Sequence, residues 1–304
     1  MYMRKFKKIL KLSIIIVFIL CLFVIVGDKS NITNFNPIEV SNVFKDDDYT
    51  SKYIYVLNRE DKNAEYKKNH NSKAYPASLT KIMTSIVALE HINDLSATAP
   101  VDVETYKKMV ENNASMAGFY GNEAVTYRDL LYGTMLSSGG EAANSLAINI
   151  SGSVDEFVNL MNNKASEIGL KNTRFTNPEG LHDKNQYTTA YDMAKLLDYA
   201  LNNGDFRAIF TKKTFKTTST LDHPDGINLR STVLSKLEGV SQEGFEIIGG
   251  KSGTTYEAGE CWATFSIKNG REYICIVMGA PLEDINNPDM AQMYDSIKLY
   301  SRID

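Results

Sequence analysis

The stretch Pro76-Ala77-Ser78-Leu79-Thr80-Lys81-Ile82-Met83-Thr84-Ser85-Ile86-Val87-Ala88-Leu89-Glu90-His91-Ile92 decides how the rest of the chain is read. Pro76 suits a helix start, where its missing N–H costs nothing. Leu79, Ile82, Met83, Ile86 and Leu89 recur at helical spacing, which predicts a mostly buried helix over about 77–92. Ser78 and Lys81 stand three apart and share one face of it. A serine hydroxyl is a weak nucleophile and needs an adjacent base. Lysine can be that base if burial, a nearby positive charge or the helix N-terminus lowers its pKa. A lone S-x-x-K is common by chance, so its meaning depends on what stands elsewhere.

Outward from this helix, Tyr53 to Leu57 (YIYVL) reads as a strand followed by a charged turn. Downstream, Asp129–Ser137, Glu141–Ile150, Val154–Ile168 and Ala190–Leu201 show helical patterning, and 170–185 reads as a structured loop. After Phe245 the period changes. Ile247-Ile248, Cys261–Ile267 and Tyr273–Met278 read as strands, and 289–301 as a closing helix. This order predicts an α/β (α+β) fold: an antiparallel sheet built from both ends of the chain, flanked by helices, with an inserted helical lobe. The expected division is a sheet lobe at about 50–90 and 240–304, a helical lobe at about 91–239, and a site in the cleft between them.

The first 49 residues read differently. Arg4, Lys5, Lys7, Lys8 and Lys11 form a basic tip, followed by the uncharged Leu12–Gly27, LSIIIVFILCLFVIVG. At about 1.5 Å per residue this helix is slightly short of a hydrocarbon core of about 30 Å; Ile9 and Leu10 can extend it while Lys8 and Lys11 snorkel. We read residues 1–27 as a tip and membrane anchor, with a cleaved signal peptide as the alternative. Residues 28–49 read as a polar spacer, and 50–304 as a body outside the cytoplasm. Removing the five basic tip residues from 33 leaves 28 Lys and Arg against 37 Asp and Glu. So acidic a body excludes nucleic acid as the expected partner.

Two more motifs could carry chemistry. Lys251-Ser252-Gly253-Thr254 follows an apolar run, so a strand there offers a cation and hydroxyls for a carboxylate, with glycine leaving backbone room. Ser137-Ser138-Gly139-Gly140-Glu141 joins two predicted helices. Its plain reading is a helix cap; its chemical reading is a proton-relaying serine in the cleft. Of the three cysteines, Cys21 lies in the apolar segment. The other two flank a predicted hairpin turning at Asn269-Gly270. A two-residue loop sets Cys261 opposite Met278 and Cys275 opposite Thr264, on opposite faces. They read as buried small hydrophobes, and no Cys/His spacing suggests a metal.

Taken together, S-x-x-K, a serine element and a Lys-hydroxyl-Gly element in this order form a signature set. Ala77-Ser78-Leu79-Thr80-Lys81-Ile82-Met83-Thr84 resembles the nucleophile helix of the serine D-alanyl-D-alanine carboxypeptidases, the low-molecular-mass penicillin-binding proteins of β-lactamase-like fold. Asp129-Leu130-Leu131, Glu141-Ala142-Ala143, Asn177-Pro178-Glu179-Gly180-Leu181, Tyr187–Ala194 and Glu257-Ala258-Gly259 extend the resemblance over about residues 50–285. It implies that Ser78 attacks the penultimate D-alanine of a peptidoglycan stem and that Lys81 takes its proton. The backbone N–H groups of Ser78 and Thr254 would hold the oxyanion. Lys251, Ser252 and Thr254 would hold the terminal carboxylate beside Gly253, and Ser138, near both lysines, would relay a proton to the leaving D-alanine. No cofactor or metal is implied, and β-lactams are expected to trap Ser78. The chain departs from the family pattern at Gly140, where asparagine is usual, and mildly at Ser252, where threonine is usual. Gly140 is the feature that favours an impaired sensor or scaffold over an enzyme; Asn144, one turn on, is a candidate substitute. An endopeptidase or transpeptidase is a further alternative. A β-lactamase would need E-x-x-L-N, for which only Asp198-Tyr199-Ala200-Leu201-Asn202 comes near.

Overall fold

The YIYVLN run, Tyr53–Asn58, is β1 of the computed structural model, which describes residues 49–303. The basic tip, the apolar segment and nearly all of the spacer lie outside the described residues. β1 is buried from Ile54 to Asn58, as a short continuous apolar run predicts. The expected charged turn leads into an unexpected edge strand, β2 (Ala64–Lys68, AEYKK). Its charged side chains suit an edge and hide it from an apolar pattern.

Next come a 3₁₀ turn (Ala77–Thr80), α1 (Lys81–His91), β3 (Thr98–Pro100), α2 (Val103–Glu111), β4 (Ala124–Thr126), α3 (Tyr127–Met135), α4 (Gly140–Ser151) and α5 (Val154–Ile168). After the loop through Asn177–Leu181 follow α6 (Ala190–Ala200), α7 (Gly204–Phe210), β5 (Thr214–Lys216) and β6 (Asn228–Arg230). The chain closes with β7 (Phe245–Thr255), β8 (Gly259–Lys268), β9 (Arg271–Ala280) and α8 (Ala291–Arg302). The main sheet has the order β2-β1-β9-β8-β7, antiparallel at every pairing. Strands from both ends of the chain thus share one sheet, as expected. α8 packs on β8 and β9, and α6 on β1 and β9.

α1 is buried from Lys81 to Ala88 and packs against α3, α4, α5 and α6. Ile82, Met83 and Ile86 are at most 1% exposed, so truncating one would cost about 2–5 kcal/mol. α3 starts two residues before its expected start because Thr126 and Asp129 form a capping box. α2 and α7 were not expected. α2 buries only Met109 and starts where Asp102 accepts the Thr105 N–H at 2.7 Å.

The hairpin register is as expected at Lys268↔Arg271 and Thr264↔Cys275, but a bulge between Glu260 and Trp262 removes the expected Cys261–Met278 pairing. Both cysteines are free and buried, and burial pushes the Cys261 thiol up to about 12. Trp262, Phe265 and Tyr273 are buried in the sheet. The Asp198–Asn202 string is used structurally: Asp198 Oδ1 and Asn202 Oδ1 each accept from the Arg59 guanidinium at 2.9 Å.

Candidate active site

Ser78 lies in the 3₁₀ turn, and Lys81 is the first residue of α1. In a 3₁₀ turn, side chains three apart eclipse one another, which brings the two groups together. Lys81 Nζ donates to Ser78 Oγ at 3.1 Å and also to the backbone carbonyl of Glu179. Lys81 is 2% exposed. Burial lowers its pKa from about 10.5 to about 8, with the Glu179 and Glu141 carboxylates pulling the other way. The expected lowering is therefore present, with burial as its leading cause.

The loop through 177–181 forms one side of this centre. Thr84 Oγ1, on α1, donates to the Pro178 carbonyl at 2.6 Å, and Asn177 Oδ1 accepts the Gly180 N–H at 2.7 Å. Gly180 has φ +86°, and a Cβ there would stand 2.1 Å from the Ala77 carbonyl oxygen. Only glycine lets this backbone lie against the residue before Ser78. Ala77 itself has φ +46°, an unusual value for a side-chain-bearing residue.

The opposite side is β7. Lys251 is fully buried and donates to Ser138 Oγ at 2.9 Å and to the Ser252 carbonyl at 2.7 Å. Burial first, then the charge of Lys81, holds its pKa well below the usual lysine range. Ser252 Oγ shares a hydrogen bond with Thr232 Oγ1 at 2.8 Å. A Cβ on Gly253 would lie 3.0 Å from the Ser78 nitrogen and 3.1 Å from the Leu79 nitrogen, so β7 runs directly beside the serine's own amide. Thr254 is the next residue on this strand. Ser138, at φ +61° between α3 and α4, completes the group.

Three segments far apart in sequence thus converge on one serine–lysine centre, with the lysine buried and the serine half-buried. The family described as D-alanyl-D-alanine carboxypeptidase matches residues 41–282. The chain belongs to this family. It is 31% identical over 257 residues to D-alanyl-D-alanine carboxypeptidase DacF of Bacillus subtilis, covering 81% of this chain and 62% of that protein. It is 31% identical over 238 residues to the D-alanyl-D-alanine carboxypeptidase of Streptomyces sp. strain K15, covering 74% and 79%. The solved Streptomyces K15 DD-transpeptidase superposes with a TM-score of 0.74 at 28% identity, covering 85% of this chain and 98% of that one. The fold is that of the D,D-peptidases.

Within this D-alanyl-D-alanine carboxypeptidase fold, Gly140 opens α4 and packs against Met109. Its N–H donates to the Ser115 carbonyl at 2.7 Å and its carbonyl accepts from Asn144 Nδ2 at 2.9 Å. A Cβ there would meet Met109 Sδ at 2.7 Å. Both polar groups of Gly140 are used internally, and the Met109 thioether fills the space a side chain would enter.

Asn144 is buried and does not bond to either lysine; its amide donates to Glu179 Oε2 at 3.3 Å. Burial pushes the Glu179 carboxyl up, and the Lys81 charge is among the effects pulling it back down. Glu141, also fully buried, accepts the Ala117 and Gly118 N–H groups at 2.6 and 3.0 Å. It ties that loop to the start of α4. Glu179, Met109 and Thr232 were missed as parts of the site. Asn177-Pro178-Glu179-Gly180-Leu181 was quoted, but nothing local showed that the Glu179 carbonyl meets a lysine 98 positions earlier.

Proposed function

We propose that the chain is a serine D,D-carboxypeptidase that removes the terminal D-alanine from peptidoglycan stems ending in D-Ala-D-Ala. The observation that carries this reading is the 3.1 Å contact between the buried Lys81 Nζ and the half-buried Ser78 Oγ. A neutral Lys81 accepts the Ser78 proton as Oγ attacks the carbonyl of the penultimate D-alanine. The developing oxyanion is held by the Ser78 and Thr254 N–H groups, and losing one such donor typically costs about 2.7–4 kcal/mol. Lys251, with Ser252 and Thr254, receives the terminal carboxylate, and Thr232 orients the Ser252 hydroxyl. Collapse breaks the peptide bond, and the leaving D-alanine amine takes a proton through Ser138 from the lysines. Water then attacks the ester, releasing the shortened stem and free Ser78. A β-lactam enters the same first step and stays as the acyl-enzyme.

The reaction places the protein at the cell envelope. Its substrates lie outside the cytoplasm, which agrees with reading residues 1–27 as a membrane anchor, or as a cleaved signal peptide on a secreted body. Among the described residues, no helix is long and apolar enough to cross a membrane.

A second reading passes the same acyl group to an amine rather than to water. Similarity to the K15 DD-transpeptidase favours keeping it. The test is D-alanine release from a stem pentapeptide by residues 28–304, beside Ser78→Ala, with and without a glycine acceptor. Release into water that vanishes in Ser78→Ala supports the carboxypeptidase. Product formed only with the acceptor supports transfer. A folded protein that does neither overturns both.

A further inference from the structure

A cavity of about 650 Å³ is walled in part by Tyr75, three residues before Ser78, and lies within the roughly 300–1,000 Å³ range of small-ligand sites. Lys52, Lys73, Arg174 and Lys184 line it, and Glu257 is the single acidic residue among its lining. Glu257 leans instead toward His182, 3.8 Å away. Among the described residues, none of the four cations forms an ion pair. This concentration of positive charge stands on a chain that beyond residue 11 has more acidic than basic residues. Like charges gathered in a concavity raise the local potential and concentrate anions there.

Backbone pairing sets much of this wall. Ala74 bridges Thr188, and Arg174 bridges Tyr187. Lys73 Nζ stands 3.9 Å over the Tyr187 ring. Lys73 is thereby set over a tyrosine whose backbone pairs with Arg174, and the ring gives an apolar surface beside the charge. The cavity approaches Ser78 only through its Tyr75 wall. Tyr75 lines both it and a smaller cavity formed with Ala77, Gly180 and Thr255. Ala77 precedes Ser78, and Thr255 follows Thr254.

We propose that this cavity is a subsite for the free carboxylates of the stem peptide upstream of the scissile bond. The inference rests on the peptidase reading above and adds a charge selectivity to it. A stem whose D-Ala-D-Ala end lies at Ser78 runs past Tyr75 and sets its upstream carboxylates among Lys73, Arg174 and Lys184. Amidating those carboxylates removes the charge the cavity is built to meet.

The test compares two stem pentapeptides, identical except that one has its upstream carboxylates amidated, on wild type and on Lys73→Gln/Arg174→Gln. In wild type at low salt, kcat/KM is expected to favour the free carboxylates by about fivefold, as two partly exposed ion pairs would give. The preference should shrink at high salt and vanish in the double variant, which keeps its rate on the amidated stem and its acylation by benzylpenicillin. Equal rates on both stems in wild type, or an equal loss on both in the variant, overturns the subsite. A separate measurement keeps the two readings apart: calorimetric binding of the carboxylate-bearing tripeptide that lacks both D-alanines. If wild type neither releases D-alanine nor takes penicillin, the peptidase reading fails. The tripeptide then decides alone: binding lost in the variant upholds an anion subsite, and no binding to wild type ends it.

Discussion

Asn144 donates its side-chain amide to Glu179 Oε2 across 3.3 Å, while Glu179 lends its backbone carbonyl to the Lys81 ammonium. An amide one helical turn beyond Gly140 therefore reaches Lys81 through the loop that carries Glu179. Asn144→Ala leaves the buried Glu179 carboxyl without this donor, at a cost of about 1–3 kcal/mol. We expect a lower Tm and slower penicillin acylation in Asn144→Ala. Unchanged acylation in a destabilised variant would reduce Asn144 to a purely structural role.

Gly140 and Met109 should be energetically coupled. In Gly140→Asn the new Cβ starts 2.7 Å from Met109 Sδ, and overpacking of this kind costs about 1–3 kcal/mol. Met109→Ala alone should cost about 2–5 kcal/mol, because Met109 is fully buried. In the double variant the asparagine enters the vacated volume, so its cost should fall below the sum of the single costs by at least about 0.5 kcal/mol. A denaturant double-mutant cycle reads this directly, and strict additivity would mean that Met109 does not fill that space.

The pH dependence should follow Lys81, whose pKa burial lowers to about 8. Only the neutral amine accepts the Ser78 proton, so the penicillin acylation rate should rise as pH rises through about 8 and then level off. Stability moves the same way. Between about 8 and the ordinary 10.5 the unfolded lysine is protonated while the folded one is not. The unfolded state therefore binds more protons, and stability rises with pH across that window. An acylation rate flat from pH 6 to 10 would remove Lys81 from the role of base.

Gly180→Ala tests the contact between the loop and the nucleophile. The added methyl would stand 2.1 Å from the Ala77 carbonyl at a positive φ, so the loop or the 3₁₀ turn must move. We expect a loss of at least about 2 kcal/mol and acylation slowed by tenfold or more, since Lys81 is bonded to residue 179. A variant with wild-type acylation would show that the loop shifts without disturbing Ser78.

Some of the site was legible because it is local. Ser78 and Lys81 stand three positions apart, and the apolar recurrence around them predicts a buried helix. The strands at 53, 261 and 273 were equally plain, and the Asn269-Gly270 turn set the Lys268↔Arg271 pairing. β2 and α2 were hidden because their exposed sides carry charge, so neither shows the apolar repeat that marks a buried element. Cys261 lost its expected partner to a bulge, which a count of alternating residues does not contain.

The sequence by itself determined the Ser78–Lys81 pairing on one helix face, the sheet shared between both ends of the chain, and the family resemblance, since short-range periodicity and residue order carry all three. Tertiary structure decided the rest. Ser138 meets Lys251 across 113 positions, Met109 fills the space beside Gly140, and burial lowers the Lys81 pKa. These depend on which surfaces pack together and how much water they exclude, and residue spacing along the chain does not encode that.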